Sequence, residues 1–194
     1  MRRYLAAAFC LALLTACTST EGGIASPRSS ATESTTSPTT SASKSTAPSS
    51  TRPREIRLDG KKPCELMTAD QLATIAETTA PRANTASTFN SPNCDFNATG
   101  ASWRITTVVT EGVDVWTSGK RQGQPTEIPP IAGFPAITVT LPTDKVLCNI
   151  AIDVADGQYV YTGFEVRESF ADKFPKPCDG ARMVAEAAMQ NLMK

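Results

Sequence analysis

The chain has 194 residues, with 19 basic and 19 acidic side chains and no histidine. Balanced charge with no basic patch gives no electrostatic footprint for nucleic acid. The missing histidine removes Ser-His and Cys-His nucleophile systems and every histidine-ligated metal site.

The chain opens on a basic start, Met1-Arg2-Arg3, followed by an apolar run from Tyr4 to Leu14. That length fits the central region of a signal peptide. It falls short of the roughly 20 apolar residues a permanent membrane-spanning helix needs. The end of the run, Leu14-Thr15-Ala16-Cys17, resembles the lipobox of bacterial lipoproteins. The resemblance implies cleavage after residue 16 and a lipid on the Cys17 thiol. Each buried methylene contributes about 0.8 kcal/mol, so two or three acyl chains hold a protein firmly. The expectation is a mature chain anchored on the extracytoplasmic face of the cell membrane.

Residues 17–55 read as a tether. From Thr18 to Arg54 there are 11 Ser, 9 Thr and 4 Pro, and Ile24 is the one large apolar residue. Such a composition cannot build a core. As a flexible coil it would span roughly 35 Å, from about 5–6 Å times the square root of its length. Its Ser/Thr clusters are equally readable as sugar acceptors or as plain spacer. Residues 56–194 then form one domain of ordinary size.

Within that domain Thr68-Ala69-Asp70-Gln71 reads as a capping box, with Met67 and Leu72 in the staple positions. A first helix is expected over about 69–78. Cys94 and Phe96 share one face of a short strand, and Asn97-Ala98-Thr99-Gly100 forms a turn. Trp103, Ile105, Thr107 and Val109 then alternate with Arg104, Thr106 and Val108. The stretch from Glu111 to Pro135 is the least regular. Ile137, Val139 and Leu141 alternate next, and Pro142 ends that strand. Val146, Cys148, Ile150, Ile152 and Val154 share one face of the clearest strand, and Asp156-Gly157 is a hairpin signal. Val160, Phe164 and Val166 alternate with Tyr159, Tyr161 and Glu165. Ala181, Val184, Ala185, Ala188 and Leu192 make the apolar face of a final helix. Pro175 and Pro177 bar an earlier start. The expected fold is α+β: an antiparallel sheet of about five strands with N- and C-terminal helices on one face.

Of six cysteines, Cys10 would leave with the signal and Cys17 would carry the lipid. Cys64, Cys94, Cys148 and Cys178 remain, an even number in an oxidising compartment, so two disulfides are expected. Their wide spacing does not suit zinc. Three connectivities are possible. Closing short loops costs less entropy, which favours Cys64–Cys94 with Cys148–Cys178 over the nested Cys64–Cys178 with Cys94–Cys148.

Several motifs together resemble the actinobacterial lipoproteins grouped as domain of unknown function 3558. They are Pro63-Cys64-Glu65-Leu66-Met67-Thr68, Cys94 with Trp103 beyond it, Gly133-Phe134-Pro135-Ala136, Cys148 on a strand and Pro177-Cys178-Asp179-Gly180-Ala181. The resemblance covers the whole chain and implies an envelope location and this domain type, with no known activity.

No catalytic set or cofactor is expected. Ser118 with Lys120 reads as ordinary surface, and Asp153, Asp156 and Glu165 read as a solvated face around one hairpin. Binding is the leading expectation. Trp116 and Phe134 in the irregular stretch, and Tyr159 and Tyr161 on the strand face away from the helices, are the candidate contact residues. The preferred reading of Trp116 and Phe134 themselves is that they close the core as the loop crosses the sheet edge, and that of Tyr159 and Tyr161 is as ordinary strand residues. Besides the membrane, an envelope protein or cell-wall component is the expected partner, and the chain is expected to be a monomer. An apolar-ligand carrier and a carboxylate-based wall enzyme stand behind this reading. The carrier requires an apolar cavity between helices and sheet, and the enzyme requires two facing carboxylates.

Overall fold

A computed structural model describes residues 52–194. The signal segment, Cys17 and most of the tether lie outside the described residues. A 3₁₀ turn at Pro63–Leu66 precedes helix α1 (Ala69–Ile75). Strands β1 (Arg82–Ala86), β2 (Ser91–Ala98) and β3 (Ala101–Val108) follow, then a short helix α2 (Asp114–Thr117). Strands β4 (Gln124–Ile131), β5 (Phe134–Thr140), β6 (Leu147–Ala155) and β7 (Gln158–Val166) complete the sheet, and α3 (Pro177–Leu192) ends the chain.

All neighbouring strands are antiparallel, in the order β1-β2-β3-β7-β6-β5-β4. The sheet has seven strands rather than five. The two extra strands are its edges, and their composition hides them. β1 is short, polar and mostly exposed, so it shows no alternation. β4 carries Pro125, Pro129 and Pro130, which a central strand would exclude and an edge strand tolerates. Both devices also discourage pairing with another chain.

The capping box forms as expected: Thr68 Oγ1 accepts from the Gln71 backbone N–H, and Gln71 Oε1 accepts from the Thr68 N–H. α1 nevertheless ends at Ile75. At the other end Pro177 occupies the first turn of α3, where its missing N–H costs nothing.

One face of the sheet is the main core. Cys94, Phe96, Trp103, Ile105, Ile150, Ile152, Val160 and Phe164 point to it, and α3 lays Ala181, Val184, Ala185, Ala188, Met189 and Leu192 against them. Burying each of the larger side chains contributes about 1.5–3 kcal/mol. The helix sits very close to the sheet. A Cβ on Gly180 would fall 2.4 Å from the Phe164 ring, so only glycine fits at that contact.

The other face is not left to solvent. Val108, Ile137, Val139, Ala151, Tyr159 and Tyr161 line it, and the segment from Thr110 to Gly123 folds back over them with Val115 and Trp116. Ile137 and Val139 therefore belong to this second core, since Ile137 pairs with Ala151 while Ala136 pairs with Ile152. Leu141 lies beyond the strand and is exposed.

Two disulfides, Cys64–Cys94 and Cys148–Cys178, staple the helical segments to the sheet in the short-loop pattern. The N-terminal strap is tied too. Arg52 pairs with Asp153 and Asp156, the Ile56 N–H donates to the Val154 carbonyl at 2.8 Å, and the Leu58 N–H donates to Gln158 Oε1 at 2.7 Å. Arg54 reaches the Met193 carbonyl at 3.0 Å.

Candidate binding cleft

The four expected contact residues are all buried. Phe134 is 1% exposed in the main core, while Trp116, Tyr159 and Tyr161 lie at 6%, 0% and 7% in the second. Trp116 stacks on Tyr161 at 5.6 Å between ring centroids, and Phe89 meets Trp116, Tyr159 and Tyr161 edge-on. Trp116 and Phe134 thus close the core, as the preferred reading has it, whereas the expectation of an exposed face for Tyr159 and Tyr161 is corrected. It assumed that helices alone could cover the sheet, but the irregular segment supplies a second cover.

That cover is locked by a polar trio. Tyr159 donates to Glu111 Oε1 at 2.8 Å, and Arg121 pairs with the same carboxylate while donating to the Thr88 carbonyl at 2.9 Å. The Arg121 guanidinium also lies 4.7 Å from the Phe89 ring centroid, a favourable position over an aromatic face. Burial, then the bond to Glu111, pushes the Tyr159 hydroxyl well above its ordinary pKa. Burial pushes Tyr161 up to about 12. Neutral phenols held this way pack a core; they are poorly suited to donate or take protons near neutrality.

Of the three carboxylates around the hairpin, two are engaged by one guanidinium and the third lies far along the strand. Asp153 and Asp156 share Arg52. Asp153 sits opposite Tyr159 on the β6–β7 ladder, whereas Glu165 sits opposite Leu147. Six residues along a strand put them roughly 20 Å apart, well outside the separations of about 5–10 Å that glycoside hydrolysis uses. Ser118 caps α2, and both it and Lys120 are exposed.

A concavity among the described residues lies elsewhere, at the β2–β3 turn. It is a cleft of about 660 Å³ lined by Ala76 to Thr79, by Asn97 to Gly100, and by Arg167 and Phe174. Its walls are joined by backbone bonds: the Thr79 N–H donates to the Asn97 carbonyl and the Arg167 N–H to the Gly100 carbonyl, each at 2.9 Å. Gly100 has a φ of 95°, and a Cβ there would strike the Phe170 ring at 2.3 Å. The turn therefore needs glycine for its backbone and for the ring packed upon it.

The register fixes where this cleft stands in the domain. β7 starts beside the Asp156-Gly157 turn, where Arg52 is held, and ends beside Ala101, next to the cleft. β7 alone spans roughly 30 Å. The strap is thus fastened at one end of the sheet and the cleft opens at the other.

A family model described as Protein of unknown function (DUF3558) matches residues 12–191. The chain belongs to that family. No curated protein and no solved structure matches it. The segments that carry the DUF3558 resemblance take structural positions. Pro63-Cys64 opens the 3₁₀ turn, Gly133-Phe134 closes the β4–β5 hairpin, and Pro177-Cys178 starts α3. None of them lines the 660 Å³ cleft.

Reasoning from the sequence missed the cleft because its residues carry no motif. Thr78, Asn97, Thr99 and Arg167 are ordinary turn and loop residues, distant in the chain. The one available signal was the Asn97-Ala98-Thr99-Gly100 turn itself, a polar loop on a rigid hairpin.

Proposed function

We propose that this chain is a lipid-anchored lipoprotein of the cell envelope whose folded domain is a non-catalytic binding module. One observation supports it above the others: the strap leading from the tether is fastened at one end of the sheet, while the cleft opens at the opposite end. A domain held by a lipid on Cys17 would then keep its open concavity clear of its own point of attachment. The apolar-carrier reading has less support. Phe164 meets α3 so closely that Gly180 cannot bear a Cβ, which leaves little space for a ligand between helix and sheet at that contact.

Membrane fractionation of cells expressing the full chain tests the reading, with an alkyne-palmitate label to report acylation. The intact chain should be labelled and sediment with membranes, and Cys17→Ala should be unlabelled and released. An unlabelled intact chain, or a Cys17→Ala variant that stays equally bound, would sink the anchor.

A further inference from the structure

We infer that the cleft at the β2–β3 turn takes a short glycan, a polyhydroxylated ligand with apolar ring faces. This rests on the binding-module reading and names the ligand class of that site. Glu77, Thr78, Thr99 and Arg167 line the cleft together with the backbone of Asn97, and among the described residues none of those four side chains has a hydrogen bond or ion pair. Ala76, Ala98 and the half-buried Phe174 supply the apolar part of its lining. An apolar ligand would cover those polar groups without pairing them, at a cost for each. A strongly charged ligand would meet a like charge as well as an opposite one, because Glu77 and Arg167 cancel. Sugar rings offer hydroxyls to the first set and C–H faces to the second.

A peptide fits less well. Peptides commonly dock by adding a strand to an open edge, and the Asn97 carbonyl on that edge already accepts from the Thr79 N–H. The bonds joining the two walls also preform the site, so little ordering is needed on binding. The volume of about 660 Å³ lies within the usual range of small-molecule sites.

Hydrogen–deuterium exchange of the full chain, read by mass spectrometry, tests this with three probes: chitotriose, maltotriose and trialanine. Protection by either sugar should concentrate in residues 76–79, 97–100 and 167–174. Phe174→Ala, which removes part of the apolar lining, should weaken binding roughly ten-fold. Because Phe174 also packs on the core, Thr99→Ala, at an exposed position in the turn, serves as the second variant and should weaken binding several-fold without altering stability. Protection by trialanine alone, or no protection by either sugar, overturns the glycan assignment. Sugar-induced protection confined to another surface overturns the cleft while leaving a binding module. None of these outcomes touches acylation of Cys17, so the two readings fail separately.

Discussion

Trp116 shows how a residue's meaning changes with its cover. An aromatic side chain in a glycine- and proline-flanked loop is readable as a surface anchor or as a closure of the core, and here it stacks on Tyr161 within the second core. Trp116→Ala should therefore cost about 3–5 kcal/mol of stability, as other buried aromatic truncations do. Urea denaturation measures this, and a loss below about 1 kcal/mol would return Trp116 to the surface. Tyr161 makes a second, pH-dependent statement. Its folded pKa, raised by burial to about 12, exceeds the ordinary value of 10.0. Between those values the folded chain keeps a proton that the unfolded chain gives up, so stability is fully present below pH 10 and is lost as pH rises toward 12. The contribution is about 2–3 kcal/mol. Tyr161→Phe should flatten the alkaline limb of a stability–pH curve, leaving the part due to Tyr159, whose shift has the same sign. An identical limb in the variant would show that Tyr161 is open to water.

At the scale of elements, the two disulfides divide the work of attaching helices to sheet. Each closes the same sequence separation of 30 residues. The chain-entropy model gives each about 3–4 kcal/mol. Replacing Cys64 and Cys94 together by Ala, or Cys148 and Cys178 together, should lower the unfolding free energy by that amount in urea. Since the entropic terms match, a difference between the two variants reports the native state: the first pair holds a 3₁₀ turn and the second the start of a 16-residue helix. A nested pairing would show instead as cross-linked peptides joining Cys64 to Cys178 after digestion. The strands were unequally legible. β6 and β7 alternate cleanly and meet at Asp156-Gly157, so pattern and turn chemistry agree. β1 and β4 lack a pattern because an edge strand need not bury a face, and β4 uses proline where the sheet has no further neighbour.

For the whole molecule the decisive feature is the strap. Asp153 and Asp156, read from the sequence as a solvated face, hold Arg52 and so fix where the chain enters the domain. Asp153 and Arg52 are mostly covered, whereas Asp156 is open, so the pair should contribute about 1–2 kcal/mol rather than the larger figure for a fully buried bridge. Arg52→Ala should loosen the strap before it loosens the fold. Amide exchange at Ile56 and Leu58, whose N–H groups bond to Val154 and Gln158, should quicken while exchange in α3 holds. Uniform acceleration across the domain would mean that the strap is part of the cooperative core.

The sequence by itself determined the local events: the capped first helix, the apolar stripe of the last, the alternation of the central strands, and cysteine spacing that favoured short loops. These are set by neighbours within a few residues or by chain entropy, both of which can be read along one dimension. Only the tertiary structure decided which face Ile137 shares with Tyr161, that the segment from Thr110 to Gly123 covers that face, and that residues near 78, 98, 167 and 174 wall one cleft. Those outcomes depend on which surfaces meet after collapse. Segments with weak local preference are placed by the burial they complete, and their own residues carry little record of it.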